Sequence, residues 1–283
     1  MDLAKRVERE LTSYNGHMAM YVRDFAGNTV TLHEEELFET ASTIKSFILL
    51  DLFEQDKEGS KDLEELLEYR QEHQVDGSGV LHYMKPGFSM SARNVAVLMI
   101  IVSDNTATNM LIEYLGLDHI NETIQKYGFK DTVLHNHIDW QKYENLGTST
   151  VKDYGEFFYR LHEGDLVSEE ACQDMISIFK DQHYNSMLVG EFPQYYLSGD
   201  DCVVADDEMI TVASKSGSMD ACRTDGGIVY TPKGDYVIAL FHKEFHDPLY
   251  HPKHEATLYG AKVSRLILER FLALEGKLVK ETP

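Results

Sequence analysis

With 283 residues, 43% of them hydrophobic, the chain has apolar material for one large core or two interlocked ones, which excludes a disordered protein. Its net charge of −22, from 26 basic and 48 acidic residues, excludes a nucleic-acid partner, because phosphate binding needs clustered Lys and Arg. No apolar run approaches the roughly 20 residues that cross a bilayer, so no membrane partner is expected.

Residues 2–14 place Leu3, Val7 and Leu11 at helical spacing and end before Asn15-Gly16. This charged opening holds no apolar leader core, so a cytoplasmic protein is expected, or a secreted one if a leader has been removed. His17 to Arg23 and Thr29 to Leu32 read as a hairpin around Asp24-Phe25-Ala26-Gly27-Asn28. A helix from Ser42 to Phe53 is too continuously apolar to lie on a surface. Residues 61–72 read as a charged helix, and Gly77-Ser78-Gly79 and Lys85-Pro86-Gly87 as loops. Ser91 caps a helix to Val102; further helical patterns cover 106–115, 118–127, 150–163 and 168–180.

After residue 190 the texture turns to β. Met209 to Ala213, Gly227 to Tyr230 and Tyr236 to His242 are strands, the last two joined by Thr231-Pro232-Lys233-Gly234-Asp235, and a helix from Glu255 to Leu274 closes the chain. Strands at both ends and helices between them predict an α+β (α/β) fold. An antiparallel sheet from both termini (1–35 and 196–283), flanked by helices, carries an inserted all-α lobe (36–195).

Three motifs carry chemistry. Ser42-Thr43-Ile44-Lys45 puts a hydroxyl and an amine on one helix face, since residues i and i+3 are neighbours. A neutral amine there can take the proton of an otherwise weak serine nucleophile. Ser103-Asp104-Asn105 and Lys215-Ser216-Gly217 complete the set. Cys172, Cys202 and Cys222 are far apart and read as free thiols. His242, His246, His251 and His254 lack zinc spacing and read as a solvated loop; no metal and no cofactor is expected. Trp140 reads as packing its loop.

S-x-x-K, S-D-N and K-T-G are shared by class A β-lactamases and penicillin-binding proteins. With Leu98 to Asn109 and Gly217 to Ile228, they make the chain resemble the class A β-lactamase-related serine hydrolases, over nearly its whole length. The separations, 61 residues from Ser42 to Ser103 and 173 from Ser42 to Lys215, fit that layout. The resemblance implies a β-lactamase/transpeptidase-like fold with its active site at the junction of sheet and helical lobe. Ser42 would be acylated, Lys45 would take its proton, and Ser103 and Lys215 would relay protons to the leaving nitrogen. Asn105, Ser216, Gly217 and Arg223 would hold the substrate, and the backbone N–H groups of Ser42 and Ser218 would form the oxyanion hole. The partner implied is a small β-lactam or acyl substrate, met by a monomer.

One departure matters. The class A deacylation motif Glu-x-x-Leu-Asn is missing from His135 to Leu146, where Asp139 and Glu144 are the carboxylates that could replace its base. Deacylation is therefore expected to be slow. Two alternatives stay open: a D-alanyl-D-alanine peptidase or small ester or amide hydrolase, and a penicillin-binding sensor that stays acylated.

Overall fold

The computed structural model describes residues 2–193, 196–197, 210–251 and 253–280. The helices are α1 (Leu3–Glu10), α2 (Lys45–Glu58), α3 (Ala92–Ile101), α4 (Asn105–Leu115), α5 (Leu117–Lys126), α6 (Val151–His162), α7 (Glu169–Lys180) and α8 (Glu255–Ala273). The strands are β1 (His17–Asp24), β2 (Thr29–Leu32), β3 (Phe38–Glu39), β4 (Leu66–Glu68), β5 (Ser89–Ser91), β6 (Val133–Leu134), β7 (Gly147–Ser149), β8 (Thr211–Met219), β9 (Cys222–Thr231) and β10 (Gly234–Lys243). They form two compact units, residues 1–38 with 150–159 and 185–283, and residues 39–149 with 160–184. Of the described residues, 150–159 and 185–193 belong to the first unit.

The first unit is built on an antiparallel sheet in the order β2-β1-β10-β9-β8. Asp24 closes the β1–β2 hairpin, its Oδ1 accepting from the Ala26 and Asn28 N–H groups at 3.1 and 2.8 Å. Thr231 closes the β9–β10 hairpin by donating to the Gly234 carbonyl at 2.7 Å. Leu3 and Val7 of α1 and Val263, Ile267 and Phe271 of α8 are buried with Met20, Val22, Ile238 and Leu240. Each such side chain contributes about 1.5–3 kcal/mol by leaving water. Tyr154 of α6 packs its ring 5.4 Å from that of Phe241, on the next β10 residue, whose side chain points to the opposite face from Leu240. With both faces covered, Tyr236 to Phe241 is buried without a polar alternation.

In the second unit, α2 is buried at each position from Lys45 to Gln55, which explains the continuous apolar run from Phe47 to Leu50. Ser91 caps α3 by accepting from the Asn94 N–H at 3.3 Å, and Ser168 caps α7 by accepting from the Ala171 N–H at 3.2 Å.

Two readings are corrected. Residues 61–72 are not a helix: Leu66–Glu68 pairs with Ser89–Ser91. Asp62 starts a turn by accepting from the Glu64 N–H at 2.8 Å, and strand pairing then satisfies the backbone that helix periodicity had suggested otherwise. Nor do the late histidines form a solvated loop throughout. His242 is buried on β10, facing the Tyr14 hydroxyl at 3.0 Å, and burial lowers its pKa to about 3. His254 is buried too and caps α8, its Nδ1 accepting from the Ala256 N–H at 3.2 Å. Cys172 is a buried free thiol and Cys222 is buried, whereas Cys202 lies outside the described residues. No described helix is long and apolar enough to cross a membrane.

Candidate active site

From residue 41 to 55 every position is buried except Ser42, which is half-buried. It lies in a 3-10 turn, Ala41–Ile44, and α2 begins at Lys45 rather than at the serine. Ala41 is left-handed at φ 45°, as is Ser103 at φ 53°. Non-glycine residues pay about 1–3 kcal/mol for that conformation, and it concentrates at functional sites.

Lys45 is fully buried. Its Nζ lies 2.7 Å from the Ser103 carbonyl, 2.8 Å from Asn105 Oδ1 and 3.2 Å from the Ser103 hydroxyl. Two oxygens that can only accept fix the amine's orientation. The hydroxyl can donate as well as accept, so a proton can pass between Lys45 and Ser103.

The S-D-N segment is held from behind by the 76–81 loop. Asp104 is fully buried and takes three N–H donors: Val80 at 2.6 Å, Leu81 at 2.8 Å and, as the cap of α4, Ala107 at 2.9 Å. Ser78 donates to the Ser103 carbonyl at 2.8 Å, and Asn105 Nδ2 donates to the Asp76 carbonyl at 3.1 Å. Gly79 sits at φ +106°, where a Cβ would stand 2.4 Å from Asp104 Cα, so only glycine allows this approach. The helix cap thus falls within the S-D-N motif itself.

The 136–146 segment is anchored by Asn109, which donates to the Ile138 carbonyl at 2.9 Å and accepts its N–H at 2.8 Å. Asp139 Oδ1 accepts from the Gln141 N–H at 3.1 Å, making a local turn. Glu144 is exposed. Burial, with the charge of Glu144 adding to it, raises the pKa of Glu39. Trp140 is 47% exposed and ties the segment to the loop by donating to the Asp76 carbonyl at 3.1 Å.

The K-S-G segment lies in the other unit, on β8, the last strand in the sheet order. An edge strand offers backbone N–H and C=O groups to a ligand. Lys215 is fully buried, and its Nζ donates to the Ser216 carbonyl at 2.6 Å. Burial lowers its pKa to about 7, against the opposing pull of Asp225. Asp225 is raised to about 7 by the same desolvation, tempered by the Leu188 N–H, Lys215 and the Gly226 N–H. Ser218 is exposed near the strand's end.

Arg223 is buried and spent on carbonyls: Cys222 at 2.9 Å, Pro248 and Leu249 at 3.0 Å each, and Met219. Its guanidinium also lies 5.1 Å from the Phe245 ring. It therefore secures the segment after β10 here, a use its charge alone does not reveal.

Sequence reasoning missed Tyr154 and Asp225 as parts of this half. The Tyr154 hydroxyl donates to the Lys215 carbonyl at 2.9 Å. Gly226, paired with Lys215 across β8–β9, makes the room: a Cβ there would stand 2.7 Å from the tyrosine ring. The glycine pair Gly226-Gly227 inside a strand was the available signal, since such glycines mark close approach.

A β-lactamase from Sphaerobacter thermophilus DSM 20745 shares 25% identity at a TM-score of 0.82, covering 96% of this chain and 97% of that one. PBP-A shares 28% identity at a TM-score of 0.82 over 96% of both chains. A point mutant of PBP-A, equally similar at 28% and 0.82 over 96% of this chain and 97% of that one, is known as an acyl-enzyme complex with penicillin G. No curated protein matches. The model of the β-lactamase enzyme family matches residues 2–271, and the chain belongs to that family of serine hydrolases.

Proposed function

We propose that the protein opens β-lactam rings through an acyl-enzyme on Ser42 and releases the product slowly. The observation that carries this reading is the buried Lys45 amine, held by Asn105 and hydrogen-bonded to the Ser103 hydroxyl. Ser42 Oγ attacks the lactam carbonyl carbon while its proton passes to Lys45. The C–N bond then breaks, and the nitrogen takes a proton from the Ser103 hydroxyl, which Lys45 or Lys215 replenishes. Backbone N–H groups of Ser42 and Ser218 hold the oxyanion; such a donor is worth about 10²–10³ in rate. Asn105, Ser216 and Gly217 position the substrate. Water then cleaves the ester and restores Ser42.

Slow release follows from the 136–146 segment. It lacks Glu-x-x-Leu-Asn, Asp139 is engaged in its own turn, and Glu144 is exposed. The penicillin G acyl-enzyme of the PBP-A mutant supports acylation by the same type of ligand. The test is intact mass after mixing with penicillin G, followed over time. A one-to-one adduct that decays over minutes or longer is expected. No adduct would reject the reading in favour of a peptidase or small-ester hydrolase, and one that never decays would point to a sensor.

A further inference from the structure

Away from these motifs, three potential metal ligands converge at the start of β1. His17 is the first residue of that strand, and His33 and Glu36 bracket the turn that follows β2. One ligand atom from each lies within 4.8 Å of the other two. His17 Nε2 and Glu36 Oε2 stand 2.7 Å apart, and the two imidazole centroids 4.7 Å apart. A tetrahedral ion with bonds of about 2.1 Å sets its ligand atoms about 3.4 Å from each other. That separation falls between the closest pair and the limit of the set, so small side-chain rotations suffice.

The surroundings hold the three groups in place. The Glu36 N–H closes the turn onto the His33 carbonyl at 3.1 Å. Lys152 clamps it from outside, its N–H donating to the Glu34 carbonyl at 3.3 Å and its Nζ pairing with Glu35 at 2.9 Å. His33 sits at φ 52°, in the left-handed region, with its ring against that of His17. The His17 ring is also stacked on Phe38, at 6.0 Å and 7° between planes. Lys243 Nζ takes the other Glu36 oxygen at 2.6 Å, which leaves Oε2 on the histidine side. Outer partners of this kind fix the orientation of metal ligands.

We propose that His17, His33 and Glu36 bind a divalent transition-metal ion, Zn²⁺ in the first instance. Two imidazoles and a carboxylate are the donor set of borderline ions, whereas Ca²⁺ and Mg²⁺ take oxygen ligands. His33 is exposed, so water completes the coordination. The neighbouring Lys243 ammonium repels a cation and holds the affinity to a moderate level. The ion clamps the turn after β2 to β1, two segments 16 residues apart, which is why no sequence spacing announced it.

The test is titration of the intact protein with Zn²⁺ by calorimetry and with Co²⁺ by absorbance. The variants are His33→Ala and Glu36→Gln, with His251→Ala as control because His251 pairs with Asp247 elsewhere on the surface. One ion per chain is expected, with Co²⁺ bands free of thiolate charge transfer. Affinity should fall about tenfold or more in each ligand variant and hold in the control. Saturating Zn²⁺ should raise the melting temperature of the wild type and the control only. Equal affinity in wild type and both ligand variants, thiolate bands, or no binding below about 1 mM (a ceiling of roughly −4 kcal/mol) would each overturn the proposal.

Discussion

Replacing Asp104 with asparagine preserves volume but turns one carboxylate oxygen into a donor, inside a pocket of backbone N–H groups. Oδ2 accepts from Val80 and Leu81, and Oδ1 from Ala107. Either orientation of the amide therefore sets its NH₂ against at least one of these N–H groups. A hydrogen bond to a charged acceptor is worth about 1.5–3 kcal/mol, so one to two lost bonds cost about 1.5–6 kcal/mol. In the better orientation, at about 2–4 °C per kcal/mol, the melting temperature drops by roughly 3–12 °C. The same bonds register the 76–81 loop on Ser103 and Asn105, whose partners are Ser78 and Asp76. A misplacement of about 1 Å at such a site can cost about 10² in rate. Thermal melts, and acylation by penicillin G timed by intact mass well below the melting temperature, measure both effects. A variant that melts within about 1 °C of wild type and acylates at the same rate would refute the reasoning.

Ser42→Ala should abolish the penicillin adduct, with a turnover loss on the order of 10⁶ as in comparable nucleophile deletions. Lys45→Ala should slow acylation far more than it weakens non-covalent binding; a fall in affinity at constant acylation rate would make Lys45 a binding residue. With a chromogenic cephalosporin, a burst comparable to the enzyme concentration should precede a slow phase, and Asp139→Asn and Glu144→Gln should each leave that slow phase unchanged. Burial raises Asp225 from 3.8 to about 7, so its share of the stability is full below pH 3.8 and is lost as pH rises through 7. The stability difference, wild type minus Asp225→Asn, should fall from pH 4 to 7 by roughly 1 kcal/mol per pH unit; a flat difference in melts across that range would contradict the assignment.

Much of this was legible in the sequence because it is local. A serine and a lysine three residues apart must share a helical face, and Ser103-Asp104-Asn105 before an apolar run reads as a cap whether or not it is catalytic. The β1–β2 and β9–β10 hairpins announced themselves by their turns. The failures were non-local. Residues 61–72 carry helix-compatible charges, yet Leu66–Glu68 pairs with a strand some twenty residues on. The Pro248 and Leu249 carbonyls that Arg223 holds are likewise brought to it by the fold, beyond the reach of local sequence.

The two halves of the proposed machinery are stiffened by different devices, and that difference has consequences. Around Lys45 the polar groups are buried and paired through a helix cap, a glycine that admits no Cβ, and two left-handed residues. Each left-handed residue stores about 1–3 kcal/mol that only dense packing can sustain. Lys215 instead sits on an edge strand, its carbonyl fixed by Tyr154 and its amine and Asp225 both driven toward about 7 by burial. Loss of packing should therefore disable the Lys45 half in a way that follows stability. Change of pH should disable the Lys215 half while the protein stays folded. Acylation rates at fixed pH across core variants, and across pH in the wild type, read the two sensitivities apart.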